Sequence, residues 1–202
     1  MEKIGLYGGT FAPPHYGHIH AVKTFLNAVS LDKVLIMPTF QPPHKAKAAG
    51  DTPEVRLEMC CAAFGEIPGT EVSDYEIRKA DVSYTVQTLR YLTAADREIW
   101  LLCGTDMFLT LDRWYQAEEI FRLAKMVCIS RTDGKNEDLR QTADRYRTRF
   151  GAECLLLDAQ PLVLSSSRVR EAIRAGESLA EYVPPAVEAI LRRDELYRGV
   201  EE

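Results

Sequence analysis

Gly8-Gly9-Thr10-Phe11-Ala12-Pro13-Pro14-His15-Tyr16-Gly17-His18-Ile19-His20 decides how this chain is read. Ahead of it, Lys3-Ile4-Gly5-Leu6-Tyr7 is a short apolar run that predicts a first, buried strand. Behind it, Ile19, Val22, Phe25, Leu26 and Val29 recur at helical spacing, so a helix begins near Gly17 or His18. A strand, a glycine-bearing turn and a helix N-terminus, in that order, can hold phosphate. Backbone N–H groups and the positive end of the helix dipole face an anion there, and glycines let the backbone approach it closely. His15 and His18, three residues apart at the first helical turn, lie on the same side of the helix. Each is a donor able to carry positive charge where phosphate charge would be held. The chemistry this suggests is electrostatic handling of a polyphosphate, not covalent catalysis. His20 falls outside that spacing and reads as a packing or surface residue. No carboxylate or cysteine lies close by to complete a zinc ligand set with these histidines.

The 202 residues fit one domain spanning 1–202, with residues from about 165 onward forming a small C-terminal helical portion. A hydrophobic fraction of 46% supplies a full core for a soluble protein, and a net charge of −5 argues against broad nucleic-acid or anionic-membrane binding. No apolar run approaches the roughly 20 residues of a membrane span, and no signal peptide precedes the first strand, so a cytoplasmic protein is expected. Cys60, Cys61, Cys103, Cys128 and Cys154 are scattered and lack CxxC spacing, which predicts buried free thiols.

Strands and helices alternate along the chain. Lys33-Val34-Leu35-Ile36-Met37 is a second buried strand, ended by Pro38. A loop over residues 39–52 carries Pro42, Pro43, His44, Lys45 and Gly50, and Pro53 opens a helix through Arg56, Met59, Ala62 and Phe64. A short strand at Glu71-Val72-Ser73 leads by a polar connection to Ser83-Tyr84-Thr85 and a helix through Val86, Leu89 and Leu92. Glu98 to Cys103 is the clearest strand, closed by Gly104, and a helical region follows from Thr105 to about Arg122, with a break near Arg113. Lys125 to Ser130 is a further strand, Asn136 to Phe150 a charged, exposed helix, and Glu153 to Leu157 a strand. Helices at Ser167 to Ala175 and Pro184 to about Arg193 close the order.

Continuous apolar strands alternating with helices define the fold class as α/β, a doubly wound parallel sheet covered on both faces. Ligands bind such sheets at the carboxyl ends of strands, where the strand order reverses. Gly8 to His18, Thr39 to Lys45, Gly104 to Asp106, Arg131, and Ser165 to Arg170 all follow strands directly, which predicts one composite site. Neither G-x-G-x-x-G nor G-x-x-x-x-G-K-[ST] occurs, so the nucleotide site is of another kind.

Gly8-Gly9-Thr10-Phe11-x-Pro13-x-His15-x-Gly17-His18 and Ser165-Ser166-Ser167-x-x-Arg170 resemble the two signatures of the nucleotidyltransferase superfamily with the H-x-G-H motif. With Pro42-Pro43-His44-Lys45, Ser83-Tyr84-Thr85, Gly104-x-Asp106 and Trp114, the resemblance narrows to the bacterial nicotinate-nucleotide adenylyltransferase family, from Lys3 to Tyr197. It implies a Rossmann-like fold and the synthesis of nicotinate adenine dinucleotide and pyrophosphate from ATP and nicotinate mononucleotide, a step of NAD synthesis, with magnesium. It implies catalytic roles for His15 and His18 at the ATP phosphates. Backbone contacts from Gly8, Gly9, Thr10 and Phe11 would lie at the junction of the two nucleotides. On the ATP side stand Gly104 and Asp106 for adenosine, and Ser166, Ser167 and Arg170 for the β- and γ-phosphates. Nicotinate mononucleotide falls to Lys45 and Arg131 at phosphate, Tyr84 and Thr85 at the carboxylate, and Trp114 at the pyridine ring. Ala12 stands where the family often has Asp or Asn, so no protein ligand for the metal is expected, and magnesium is held by ATP phosphates and water.

Plainer readings stand beside these. Ser165 to Arg170 also reads as a capped helix with a surface arginine, Asp106 as a helix cap, Trp114 as core, Lys45 as a solvated lysine, and Ser83-Tyr84-Thr85 as a capping sequence. At the level of the whole chain, a pantetheine-phosphate or cytidylyl transferase, a non-catalytic nucleotide sensor and a tRNA-charging module share the turn. The Ser-Tyr-Thr segment with Trp114, the paired histidines, and the small acidic chain argue against each in turn. A homo-oligomer is compatible with this sequence.

Overall fold

The computed structural model describes residues 1–43, 51–93, 96–130, 136–158, 162 and 164–199. The apolar runs become strands: Glu2–Gly9 (β1), Lys33–Pro38 (β2), Thr70–Val72 (β3), Arg97–Gly104 (β4), Lys125–Ser130 (β5) and Cys154–Asp158 (β6). They form one six-stranded sheet in the order β3-β2-β1-β4-β5-β6. The pairs β1/β4, β4/β5 and β5/β6 are parallel, with Ile4 opposite Ile99, Cys103 opposite Cys128 and Ile129 opposite Leu157. Strands this apolar need cover on both faces. The helices are Tyr16–Ala28 (α1), Pro53–Phe64 (α2), Tyr75–Lys79 (α3), Thr85–Thr93 (α4), Thr105–Leu109 (α5), Ala117–Leu123 (α6), Asn136–Phe150 (α7), Ser166–Ala175 (α8) and Pro185–Arg193 (α9), with a 3-10 turn at Leu111–Arg113. This is the doubly wound α/β class expected, and its strand order reverses at β1, the strand that ends in Gly8-Gly9.

Packing divides the chain into two compact units. The first comprises Met1–Tyr7, Lys23–Leu35 and Tyr84–Pro161. Within it, Gly5 sets how closely α1 approaches β1. A Cβ there would lie 2.6 Å from Phe25 Cε1 and 2.9 Å from both Leu31 Cδ1 and Val34 Cγ2. Phe25 is fully buried against that gap, worth about 2–3 kcal/mol of apolar burial. At the other edge, α7 is not the exposed helix its charge suggested. Leu139, Thr142, Ala143 and Tyr146 fall on one stripe and are buried. The Tyr146 hydroxyl donates to the Phe108 carbonyl at 2.8 Å, and its ring packs 4.7 Å from that of Phe121.

The second unit comprises Gly8–Val22, Ile36–Ser83 and Leu162–Glu202. Thr52 caps α2 by accepting from the Val55 N–H, and Pro53 occupies the first turn as expected. The apolar faces of α2 (Met59, Cys60, Phe64) and α9 (Val187, Ile190, Leu191) are buried, and Arg193 bonds both oxygens of Glu58 at 2.8 and 2.9 Å. The polar connection expected after β3 contains the short helix α3; in the first unit, the region from Thr105 is two helices separated by the 3-10 turn. Gln116, at φ 54°, is in the left-handed region just before α6, which is why one helix cannot run through.

The cysteines depart in part from expectation. Cys60, Cys103 and Cys128 are buried, but Cys61 is exposed and Cys154 half-buried. Desolvation pushes the Cys128 thiol up to about 12 and Cys154 to about 11, and raises Cys60 and Cys103 as well. Thiols held protonated in this way are poor nucleophiles. Among the described residues, no helix is long and apolar enough to cross a membrane.

Substituting Gly5→Ala forces a methyl into the Phe25–Leu31–Val34 contact. It should lower unfolding stability by about 1–3 kcal/mol, read as a shifted urea midpoint with an unchanged slope.

Candidate active site

β1 delivers the chain into the turn at Gly8, which is exposed, and Gly9. A Cβ on Gly9 would meet the Phe11 ring at 3.1 to 3.4 Å, so the second glycine is the floor on which Phe11 lies. Phe11 sits at φ 52°, in the left-handed region uncommon for a non-glycine residue. Packing holds it there: the side chain is 2% exposed, with its ring edge-on to His18 at 5.1 Å and to Phe64 at 5.8 Å. The Ala12–Pro13 peptide is cis.

The His15 carbonyl starts α1, accepting from the His18 N–H at 2.9 Å and the Ile19 N–H at 3.2 Å. His15 is only 4% exposed, and its imidazole stacks on that of His18 with centroids 3.7 Å apart. His18 Nδ1 accepts from the His15 backbone N–H at 3.2 Å. Neutral His18 therefore carries its proton on Nε2, with the ring oriented by the His15 backbone N–H. The structure brings the two expected histidines together, above a turn whose aromatic residue supports one of them.

The second signature lies on the first. Ser165 caps α8, accepting from the Arg168 N–H at 3.2 Å. The Ser166 hydroxyl donates to the Pro13 carbonyl at 2.9 Å, and Arg170 Nη1 donates to the Ala12 carbonyl at 2.8 Å. Ser167 Oγ accepts from Arg170 Nη2 at 3.2 Å. The capped helix is real, but its arginine is not a solvated one: it braces the turn. Arg168 is tied to Glu177 at 2.7 Å and to the Tyr182 hydroxyl at 2.8 Å.

Arg56, which periodicity places simply as one position of a helix, also shapes the turn, a role its spacing does not reveal. It is 3% exposed and donates from Nη1 to the Thr10 carbonyl at 2.9 Å and from Nη2 to the Phe40 carbonyl at 3.1 Å. The signal for its burial was available, because Arg56 shares its stripe with Met59, Cys60, Ala63 and Phe64, so a charge falls on a buried face.

The remaining expected residues are placed as follows. Gly104 caps α5 and is exposed, and Asp106, also exposed, lies in the first turn without being the cap. The Tyr84 carbonyl accepts from the Gln87 N–H at 2.9 Å at the start of α4, whose first residue is Thr85. The Tyr84 ring lies 4.7 Å from that of Tyr115. Trp114 is half-buried rather than core, and lines an open cavity of about 440 Å³ with Asp112, Arg122 and Arg149. Lys45, His44 and Arg131 lie outside the described residues.

Among the described residues, no three His, Cys, Asp or Glu side chains group as a metal site, and the side chain at position 12 of the turn is a methyl.

Residues 6–172 match the family described as cytidylyltransferase-like. With the paired histidines at the start of α1, that match defines the class as nucleotidyltransferase, one that uses ATP and, as a class, generally a divalent metal. The chain is 39% identical over 199 residues to the probable nicotinate-nucleotide adenylyltransferase of Synechococcus sp. (strain JA-3-3Ab), covering 98% of this chain and 95% of the relative. It is 32% identical over 200 residues to the probable nicotinate-nucleotide adenylyltransferase of Clostridium perfringens (strain 13 / Type A), covering 98% and 99%. The structure of Plasmodium falciparum nicotinic acid mononucleotide adenylyltransferase complexed with NaAD shares the fold, with a TM-score of 0.78 at 17% identity and 98% of each chain covered. The chain belongs to the cytidylyltransferase-like family and, within it, to the nicotinate-nucleotide adenylyltransferases, enzymes of NAD biosynthesis.

A Cβ on Gly17 would stand 3.0 Å from both Cε1 and Nδ1 of His15. Gly17→Ala should therefore displace the His15 ring while favouring the helix by up to about 1 kcal/mol. Turnover is expected to fall about 10-fold or more with the melting temperature held or raised, as checked by steady-state kinetics beside thermal unfolding.

Proposed function

We propose that the chain transfers the adenylyl group of ATP to nicotinate mononucleotide, giving nicotinate adenine dinucleotide and pyrophosphate. The observation that carries this reading is the stacked His15–His18 pair at the N-terminus of α1, with His18 Nδ1 accepting from the His15 backbone N–H. The 5′-phosphate oxygen of the mononucleotide attacks the α-phosphorus of ATP, a new P–O bond forms, and the bond to the β-phosphate bridge breaks. Pyrophosphate takes the electron pair. Nothing in this exchange requires a bond to protein, so positioning and charge stabilisation supply the catalysis.

His15 and His18 donate to oxygens of the reacting phosphates as negative charge grows on them. The N–H groups of Gly8, Gly9, Thr10 and Phe11 line the junction of the two substrates. Gly104 and Asp106 hold adenosine, and Ser166, Ser167 and Arg170 act toward the β- and γ-phosphates. Lys45 and Arg131 meet the mononucleotide phosphate. Tyr84 and Thr85, at the N-terminus of α4, receive the nicotinate carboxylate, with Trp114 at the ring. A site built from helix N–H groups favours the acid over the amide, which brings no charge and presents donors of its own. Magnesium, entering as the ATP complex, would neutralise polyphosphate charge when bound, with phosphate oxygens and water expected as its ligands. On this reading the chain works as one catalytic domain in the cytoplasm with these two small substrates, and its net charge of −5 argues against a nucleic-acid partner.

Pyrophosphate release from magnesium-ATP, with nicotinate mononucleotide, nicotinamide mononucleotide and phosphopantetheine supplied separately, tests this directly. Release should be fast with the nicotinate substrate and at least about 10-fold slower with its amide. His18→Ala should cut kcat by about 10²–10³-fold. Release with phosphopantetheine alone would contradict the substrate assignment.

A further inference from the structure

Arg56 is nowhere a surface residue, yet it carries a full charge into the second unit. Its Nε donates to Asp51 Oδ1 at 3.2 Å, and the two side chains are 3% and 6% exposed. The other carboxylate oxygen of Asp51 accepts from the Tyr197 hydroxyl at 2.6 Å. Tyr197, 4% exposed, reaches inward from the segment after α9 with its backbone in the left-handed region at φ 60°. Its ring also lies 6.0 Å from the Arg170 guanidinium, the group that holds the Ala12 carbonyl. The carbonyls on either side of Phe11, those of Thr10 and Ala12, are thus each held by an arginine, and Tyr197 touches the surroundings of both.

A trans peptide is planar, with the carbonyl of one residue pointing opposite to the N–H of the next. Fixing the Thr10 carbonyl on Arg56 therefore fixes the Phe11 N–H in the opposite direction. The same guanidinium holds the Phe40 carbonyl beyond β2, and the Thr39 N–H donates to the Gly9 carbonyl at 2.9 Å, so the loops after β1 and β2 are set against each other. A planar fork with several donors can fix both carbonyl directions at once, which a single ammonium cannot.

We propose that Arg56, held by Asp51 and Tyr197, is a positioning residue for adenylyl transfer: it aims the Thr10–Phe11 peptide so that the Phe11 N–H meets the reacting phosphate. This rests on the reading of the turn as the phosphate site. Arg56 acts through the backbone and touches no substrate.

The test compares kcat and KM for ATP and for nicotinate mononucleotide in the wild type, Arg56→Lys and Tyr197→Phe, below the melting temperature of each. Wild-type turnover of nicotinate mononucleotide establishes the activity separately, so its absence would fault the functional reading rather than the role of Arg56. Given turnover, Arg56→Lys should lose about 10- to 100-fold in kcat, with both KM values within about three-fold. Tyr197→Phe, which keeps the ring and its packing, should lose kcat in the same direction and by less. A folded Arg56→Lys with kcat within two-fold of wild type, or a change confined to KM or to melting temperature, would overturn the proposal. Should Arg56→Lys fail to fold, Tyr197→Phe decides: a loss confined to kcat supports the role, and an unchanged kcat overturns it.

Discussion

A guanidinium buried to 3% exposure persists only if its charge and its donors are met inside the protein. In this chain they are met by one carboxylate and two backbone carbonyls, and those carbonyls belong to the segments that follow β1 and β2. The constraint runs both ways. The turn gives Arg56 the acceptors it needs, and Arg56 gives the turn a direction it would not otherwise keep, since Phe11 has to occupy a backbone region that L-residues avoid. Removing one partner would leave a charge or a carbonyl unsatisfied, which is why such a cluster specifies geometry more than it adds stability.

Around that anchor the parts of the turn divide their work. Gly9 has no side chain, so Phe11 lies down on it; Phe11 is edge-on to His18; His18 stacks on His15 and accepts from its backbone. α8 closes the arrangement from its own N-terminus through Ser166 and Arg170. The result is a turn whose rings and carbonyls are fixed in direction by the fold; under the proposed function, such preorganisation is the condition in which electrostatic stabilisation is most effective. It also explains why Ala12 is compatible with the chemistry. Its carbonyl, available whatever the side chain, is what the fold uses.

What was legible in the sequence is what is local. The turn, the start of α1, the histidine spacing and the strands all follow from neighbours a few residues apart, and the elements appear where the periodicity put them. What was missed is non-local or masked by charge. Arg56 meets Thr10 from 46 residues away, and Tyr197 meets Asp51 across 146, so neither contact leaves a trace in spacing. The buried stripe of α7 is interleaved with arginines and acids that lowered its apolar signal. α3 is five residues long, too short for a helical period to register. Cys60 and Cys61 show the limit of composition: adjacent on one helix, they point about 100° apart, and one is buried while the other is exposed.

Under the proposed function, this geometry moves an adenylyl group directly between two substrates, with no bond to protein. This transfer is tested most directly by the stereochemistry at phosphorus, using ATP made chiral at the α-phosphate with a sulfur and an oxygen isotope. A single in-line displacement inverts that centre, so the nicotinate adenine dinucleotide formed should show inversion. Retention would mean two displacements through an adenylylated residue, and would contradict the account of His15, His18 and the arginine-held turn as positioning machinery.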